Sequence, residues 1–267
     1  FNNYFVSLDN QFGSKKSIGC YHAIYTVRSV VDYYVLNGST VNLCALDVSK
    51  AFDKMNHHGL FIKLMNRCLP VSLLSTLENW FSKCVTYVKW SGSCSNSFSI
   101  TCGIRQGGVL SPYLFAIYID DLIIDITKLS IGCVFHFVPV CIVVYADDII
   151  LLAPSVTALQ RLVTVCESIL QSLDLAINVK KSVCTRIGPH CNAPCANIVT
   201  SNGSSLHWVD SMRYLGVFIS RHRFFKSSLH HAKQSFFRAF NSIYGRVGNS
   251  ASEEVILSLI KSRCVPC

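Results

Sequence analysis

Residues 143–151 read VVYADDIIL, with apolar flanks around two adjacent carboxylates, Asp147 and Asp148. Adjacent side chains of a regular strand point to opposite faces. At a hairpin tip they need not. The stretch therefore reads as two buried strands joined by a turn that presents both carboxylates to one solvent-filled cleft. Carboxylates held this close repel each other, which raises a pKa or calls for a cation. Hard divalent ions such as Mg²⁺ take oxygen ligands and keep several waters. Such a pair suits a nucleotidyl-transfer site, where two metals serve an attacking 3′-hydroxyl and a leaving pyrophosphate. The competing reading is a solvated turn, since Asp is a common turn residue.

A two-metal site needs a further carboxylate. LCALDVSKAFD, residues 43–53, places Asp47 at the end of a short apolar strand, with Asp53 six residues on, just past Phe52. Helix-like sequence follows, so an N-cap is the alternative role for Asp47. Residues 57–69 have helical spacing, with Leu60, Leu64 and Cys68 on one face. Residues 72–82 give another helix, and 85–101 alternate like strands around a Gly-Ser turn. Ser111 and Pro112 read as N-cap and first position of a helix that carries LFAIYIDDLIIDI. Residues 155–173 form a helix with Leu159, Leu162, Val163, Cys166, Ile169 and Leu170 as its apolar stripe. RYLGVFI, residues 213–219, reads as a strand, and 224–245 and 252–262 as helices. The order suggests an α+β fold with helices behind a sheet.

The chain has 267 residues, enough for one large domain or two small ones, and 51% of them are hydrophobic. Lys plus Arg number 24 against 15 Asp plus Glu, a net charge of +9. The excess favours an anionic partner such as nucleic acid, and it is spread along the chain with no basic tail. A mean hydropathy of +0.38 raises the question of a membrane. The longest apolar run, Ile131 to Ala146, contains His136 and Pro139 and ends in the acidic pair. Those breaks are costly in lipid, so the run reads as two buried strands and a turn, with no membrane partner. Phe1 opens the chain without a Met or a signal-peptide pattern, and the chain reads as a piece of something longer. Most of the 14 Cys sit in apolar runs and read as small hydrophobes of a reducing compartment. Cys264 and Cys267 form one C-x-x-C without a second pair, and His190, Cys191 and Cys195 a loose cluster, so structural zinc is not expected.

Several ordered blocks carry a family resemblance. ALDVSKAFD (45–53), GIRQGGVLSPYLFAIYIDDL (103–122), YADD (145–148), INVKKS (177–182) and RYLGVFI (213–219) resemble motifs A to E of the reverse transcriptase domain of non-LTR (LINE-type) retrotransposons, of the Jockey-like group. QFGSKKS (11–17) resembles the fingers segment that grips the incoming triphosphate. The resemblance implies a right-hand polymerase with fingers and palm over about 1–221 and the start of a thumb over about 222–267, the thumb incomplete. The antiparallel palm sheet would be backed by helices. It further implies RNA-directed DNA synthesis, with nucleotidyl transfer from a dNTP to a primer 3′-hydroxyl.

By the same resemblance, Asp47 and Asp147 are the principal ligands of two Mg²⁺ ions, or Mn²⁺ in their place, and Asp148 is a supporting carboxylate. Phe52 packs under the sugar and excludes a 2′-hydroxyl, or is core filler. Gln106 and Gly107 line the nucleotide pocket, or Gly107 marks a plain turn. Lys181, or Lys180, assists the pyrophosphate, or is a surface lysine. Lys15 holds the triphosphate, although Ser14 stands where the family has an aromatic residue. Tyr214, Leu215 and Gly216 form a turn that supports the primer end, or are an ordinary strand with a Gly bulge.

Asp120 and Asp121 lie mid-helix and diverge by about 100°, so they read as a solvated face or a salt-bridge site. His57 and His58 read as surface or helix-start residues. The partners implied are an RNA template, a DNA primer, their RNA–DNA hybrid and dNTPs. A longer polyprotein with an endonuclease would contain the chain, at work in the nucleus and in a cytoplasmic ribonucleoprotein. The competing readings are a truncated, non-catalytic element copy that at most binds RNA, a group II intron maturase-like palm and a viral RNA polymerase. Phe52 and YADD favour DNA synthesis.

Overall fold

The computed structural model describes residue 4, residues 7–248 and residues 250–264. Cys267, the second cysteine of the terminal C-x-x-C, lies outside the described residues. In chain order, α1 (Cys20–Leu36) leads to β1 (Val41–Asp47), then to α2 (Ala51–Lys54), α3 (His57–Asn66) and α4 (Val71–Ser82). The short strands β2 (Val85–Thr86), β3 (Lys89–Trp90), β4 (Ser93–Cys94) and β5 (Phe98–Ser99) pair as nested ribbons, β2 with β5 and β3 with β4. Next come α5 (Ser111–Lys128), β6 (Val134–Phe135), β7 (Val138–Pro139), β8 (Ile142–Tyr145), β9 (Asp148–Ala153) and α6 (Val156–Ser172). The chain continues through β10 (Val183–Ile187), β11 (Ile198–Val199), β12 (Ser205–Trp208), β13 (Ser211–Tyr214), β14 (Val217–Ser220) and β15 (Lys226–Ser228). It closes with α7 (His230–Val247), α8 (Glu253–Leu259) and a π turn at Ile260–Cys264.

The main sheet has the order β11-β12-β10-β1-β9-β8. Its pairs are antiparallel except β10 with β12, so the expected antiparallel palm sheet is mixed at one side. Strand alternation explains why β1, β8 and β9 are apolar at nearly every position. Leu43, Val143, Ile150 and Leu152 point to one face, against Ala23, Val27, Val30 and Val31 of α1 and Met212, Tyr214 and Ile219 of β13 and β14. Cys44, Leu46, Ile142, Val144, Ile149 and Leu151 point to the other, against Phe115 and Leu122 of α5 and Leu159, Leu162 and Val163 of α6. Burial on both faces leaves no polar stripe to break the run. The sheet is thus sandwiched between helices, and its register puts Asp47 opposite Asp148.

The structure corrects several local expectations. Ser111 does not cap α5; its hydroxyl donates to the Arg105 carbonyl at 2.6 Å, and it is already the first helical residue. Cys68 lies beyond α3 with φ of +55° and is exposed. The β6–β7 ribbon is not buried, for Phe137 at its tip is 99% exposed. RYLGVFI is not one strand but a hairpin, β13 to β14, with the chain reversal at Leu215 and Gly216 (positive φ of 45° and 83°) where the resemblance implied a turn. Residues 226–228 extend that hairpin as a third strand where a helix was expected. Among the described residues no helix is long and apolar enough to cross a membrane.

The described cysteines are free thiols, and burial pushes Cys166 up to about 12 and Cys141 to about 11, out of reach of thiolate chemistry near neutral pH.

Candidate active site

The site is built at one end of the main sheet. β1 ends in Asp47 and β9 begins with Asp148, directly across from it. Ala146 and Asp147 form the two-residue turn between β8 and β9, closed by the pairing of Tyr145 with Asp148. A cleft of about 510 Å³ opens beside this end, lined by Asp47, Lys50, Phe52, Lys54, Gln106, Asp147, Asn178 and Lys181 among others.

Asp47 is held by the segment 177–182. Its backbone N–H donates to Ser182 Oγ at 3.0 Å, and its Oδ2 accepts from Asn178 Nδ2 at 3.0 Å. Lys181 Nζ lies 3.9 Å from the same carboxylate and is largely exposed, while Lys180 does not line the cleft. The carboxylate caps no helix, since Lys50 occupies the N-cap position of α2.

Phe52 fills two roles at once. Its ring stacks on Phe115 of α5 (centroids 4.5 Å apart, planes at 27°) and it also walls the cleft. The loop carrying Gln106 hangs from α2, with the Ile104 N–H donating to the Phe52 carbonyl at 2.8 Å. Gln106 Nε2 donates to Asp53 Oδ1 at 3.2 Å, which orients the amide at the cleft rim. Gly107 takes φ of +82° with open space above it, so the turn needs the left-handed conformation and not a close approach.

Asp148 does not line the cleft. The expectation that both carboxylates open onto one cavity is corrected: Asp147 sits in the turn and lines the cavity, whereas Asp148 is already the first residue of β9, exposed and outside the cavity's lining. Shielding of its carboxyl from water, then the neighbouring Asp147 and Asp47, push its pKa up, and Arg213 pulls it back down. Tyr214 is buried beneath, and burial followed by the Asp148 charge holds its phenol well above the usual range. Tyr214, at the end of β13, thus lies on the Asp148 side of the site.

Lys15 is not in the cleft. Its ammonium donates to the Leu8 carbonyl at 2.6 Å and lies 4.0 Å from Asp9, and burial lowers its pKa. Lys50 and Lys54, which sequence reasoning passed over, do face the cavity. Their signal was present in the sequence, since both fall within or next to the VSKAFDK stretch beside Asp47. Asn178 and Ser182 were also passed over, because small polar residues in a loop carry no pattern of their own.

Asp120 is buried and pairs with Arg67, so the solvated-face alternative fails for it, while Asp121 is exposed and pairs with Lys63 at 2.7 Å. His57 starts α3, and its Nε2 lies 2.6 Å from the Gly103 carbonyl.

Among the described residues no three His, Cys, Asp or Glu side chains converge tightly enough to enclose a metal ion. Two carboxylates on an open cleft still fit Mg²⁺, which keeps several waters and is bound through one or two carboxylates together with substrate phosphates.

A family model described as reverse transcriptase (RNA-dependent DNA polymerase) matches residues 8–219. The RNA-directed DNA polymerase from mobile element jockey of Drosophila funebris is 28% identical over 236 residues, covering 85% of this chain and 25% of that protein. The Pol polyprotein of type-2 retrotransposable element R2DM of Drosophila melanogaster is 27% identical over 179 residues, 64% of this chain and 17% of that protein. The chain therefore spans a quarter or less of the length of these relatives. Among solved structures, telomerase from Candida albicans in complex with a fragment of telomeric RNA aligns with a TM-score of 0.60 at 13% identity, over 98% of this chain and 42% of that one. That likeness concerns the α+β polymerase fold.

Proposed function

The chain belongs to the reverse transcriptase family, with relatives among non-LTR retrotransposon polymerases, and from that premise we propose that it is an RNA-directed DNA polymerase that adds dNTPs to a primer 3′-hydroxyl. The observation that carries the reading is the shared cleft: Asp47 and Asp147 open onto the same cavity as Phe52, Gln106 and three lysines.

Asp47 and Asp147 hold the divalent ions, two Mg²⁺ or Mn²⁺, which when bound supply charge stabilisation at the attacking hydroxyl and the leaving pyrophosphate. Asp148 supports them through its field. Asn178 fixes the rotamer of Asp47. Lys50, Lys54 and Lys181 take the triphosphate charge, in place of Lys15. Phe52, braced by Phe115, leaves no room beside the sugar for a 2′-hydroxyl. Gln106 presents its amide to the nucleotide, and Tyr214, Leu215 and Gly216 support the primer end from the other side.

Residues 1–221 act as fingers and palm, and 222–267 begin the thumb. The support is packing: β13 and β14 share the sheet's core, whereas none of the described side chains of α7 is buried. The template is RNA, bound as an RNA–DNA hybrid through phosphate contacts, which the net charge of +9 favours. The length of the relatives supports work within a longer polyprotein that carries an endonuclease. We place that work in the nucleus and in a cytoplasmic ribonucleoprotein.

The test is extension of oligo(dT) on poly(rA) by the purified chain with dTTP and Mg²⁺, alongside binding of the same hybrid. Extension supports the polymerase. Tight binding with no extension by a folded chain would favour the non-catalytic reading.

A further inference from the structure

Residues 10–13 are tied to the turn that carries Asp147. The Phe12 N–H donates to the Val144 carbonyl and the Val144 N–H to the Asn10 carbonyl, both at 2.8 Å. Gln11 bridges in parallel to Val144 and is completely buried. Its Oε1 accepts two backbone N–H groups, from Gly13 at 3.0 Å and from Ala146 at 3.2 Å. Two donors aimed at one atom fix the orientation of the amide. Gly13 presses on the same turn, since a Cβ there would come within 2.6 Å of the Ala146 nitrogen.

The turn needs such a brace. Ala146 has φ of +55°, a region that residues with a side chain rarely adopt. Such conformations persist where the surroundings hold them. The choice of glutamine is also informative. Its Nε2 is buried without a hydrogen-bond partner among the described residues, a cost that an apolar residue would avoid. A glutamate would accept the same two bonds, but its charge would lie in the field of Asp147 and its neighbours. The position therefore calls for a neutral acceptor.

We propose that Gln11 is a positioning residue that orients Asp147 through the Ala146 amide and so sets the affinity of the cleft for a divalent cation. The proposal rests on the reading of the cleft as a metal site. The bland alternative is a core glutamine that contributes stability alone.

The experiment is a Mn²⁺ titration, following the free-ion signal by electron paramagnetic resonance, on the wild type, Gln11→Met, Gly13→Ala, Asp147→Asn and Asn42→Leu. Asn42 is a buried polar residue of β1 whose Nδ2 donates to the Ala153 carbonyl, away from the cleft. Unfolding curves for each variant measure the stability loss. Gln11→Met is expected to weaken Mn²⁺ binding roughly tenfold, as outer-shell partners do, and Asn42→Leu to leave it unchanged at a similar loss of stability. Gly13→Ala keeps Gln11 but displaces the turn, so it is expected to weaken binding too, and it serves if Gln11→Met fails to fold. Wild-type affinity in the folded Gln11→Met or Gly13→Ala chain, or equal weakening in Asn42→Leu, would overturn the proposal and leave the metal site standing. No Mn²⁺ binding by the wild type that depends on Asp147 would overturn both.

Discussion

Asn178 grips Asp47 twice: its side-chain Nδ2 donates to Asp47 Oδ2 at 3.0 Å, and its backbone N–H donates to the Asp47 carbonyl at 2.8 Å. The loop after α6 therefore follows β1 as one unit, and the Asp47 carboxylate enters the cleft in a fixed rotamer. Asn178→Ala keeps the backbone bond and removes the other. We expect kcat for dNTP incorporation to fall roughly tenfold, the usual effect of losing a ligand's outer partner, with an unchanged unfolding midpoint. Steady-state primer extension measures this, and an unchanged kcat would mean that Asp47 holds its rotamer unaided.

Phe52 links stability to sugar selection. Phe52→Val removes the ring stacked on Phe115, which costs about 1 kcal/mol for the lost ring pair. It also opens space beside the sugar. The ratio of UTP to dTTP incorporation opposite poly(rA) is expected to rise at least about tenfold. A ratio that stays fixed while stability drops would leave Phe52 as core filler.

Asp148 carries a pH signature. Its pKa is raised above the usual 3.8 by shielding from water and by Asp147 and Asp47. The folded state therefore holds the proton more tightly than the unfolded one. The associated stability is present below about pH 4 and is lost as pH rises through the elevated value. Asp148→Asn is expected to stabilise the metal-free chain at pH 7, with the gain vanishing towards pH 4. Denaturant unfolding at the two pH values, with a chelator present, is the measurement. A gain at pH 4 equal to that at pH 7 would contradict it.

The two acids of the α5 pair separate by burial. Asp120→Ala removes a buried carboxylate and its ion pair with Arg67 and is expected to cost about 3 kcal/mol. Asp121→Ala loses an exposed pair with Lys63 and is expected to cost under about 1 kcal/mol. Equal costs in chemical denaturation would mean that the pairing, and not burial, decides.

Much of the fold was legible because its signals are local. The apolar runs around Asp47 and Asp147 sit in β1, β8 and β9, and Leu159, Leu162, Val163, Cys166 and Leu170 are buried on α6 as spaced, with Ile169 half-buried beside them. What escaped depends on contacts distant in sequence or on unusual backbone. The turn inside RYLGVFI was legible only through the family resemblance, because leucine in a left-handed turn gives no turn pattern of its own. That Asp148 begins β9 and does not belong to the turn is a one-residue matter, which spacing does not report. Lys15 turned away because the Leu8 carbonyl lies within reach. Gln11 meets Ala146 across 135 residues of sequence, so no spacing reports it.

The most direct measurement is dTTP incorporation on poly(rA)/oligo(dT) with Mg²⁺ by the wild type, Asp47→Asn and Asp147→Asn, each shown to be folded and to bind the hybrid. Extension by the wild type that falls to background in both variants, with hybrid binding retained, is the predicted result. Extension at the wild-type rate in either variant would contradict the assignment of the cleft as the polymerase site.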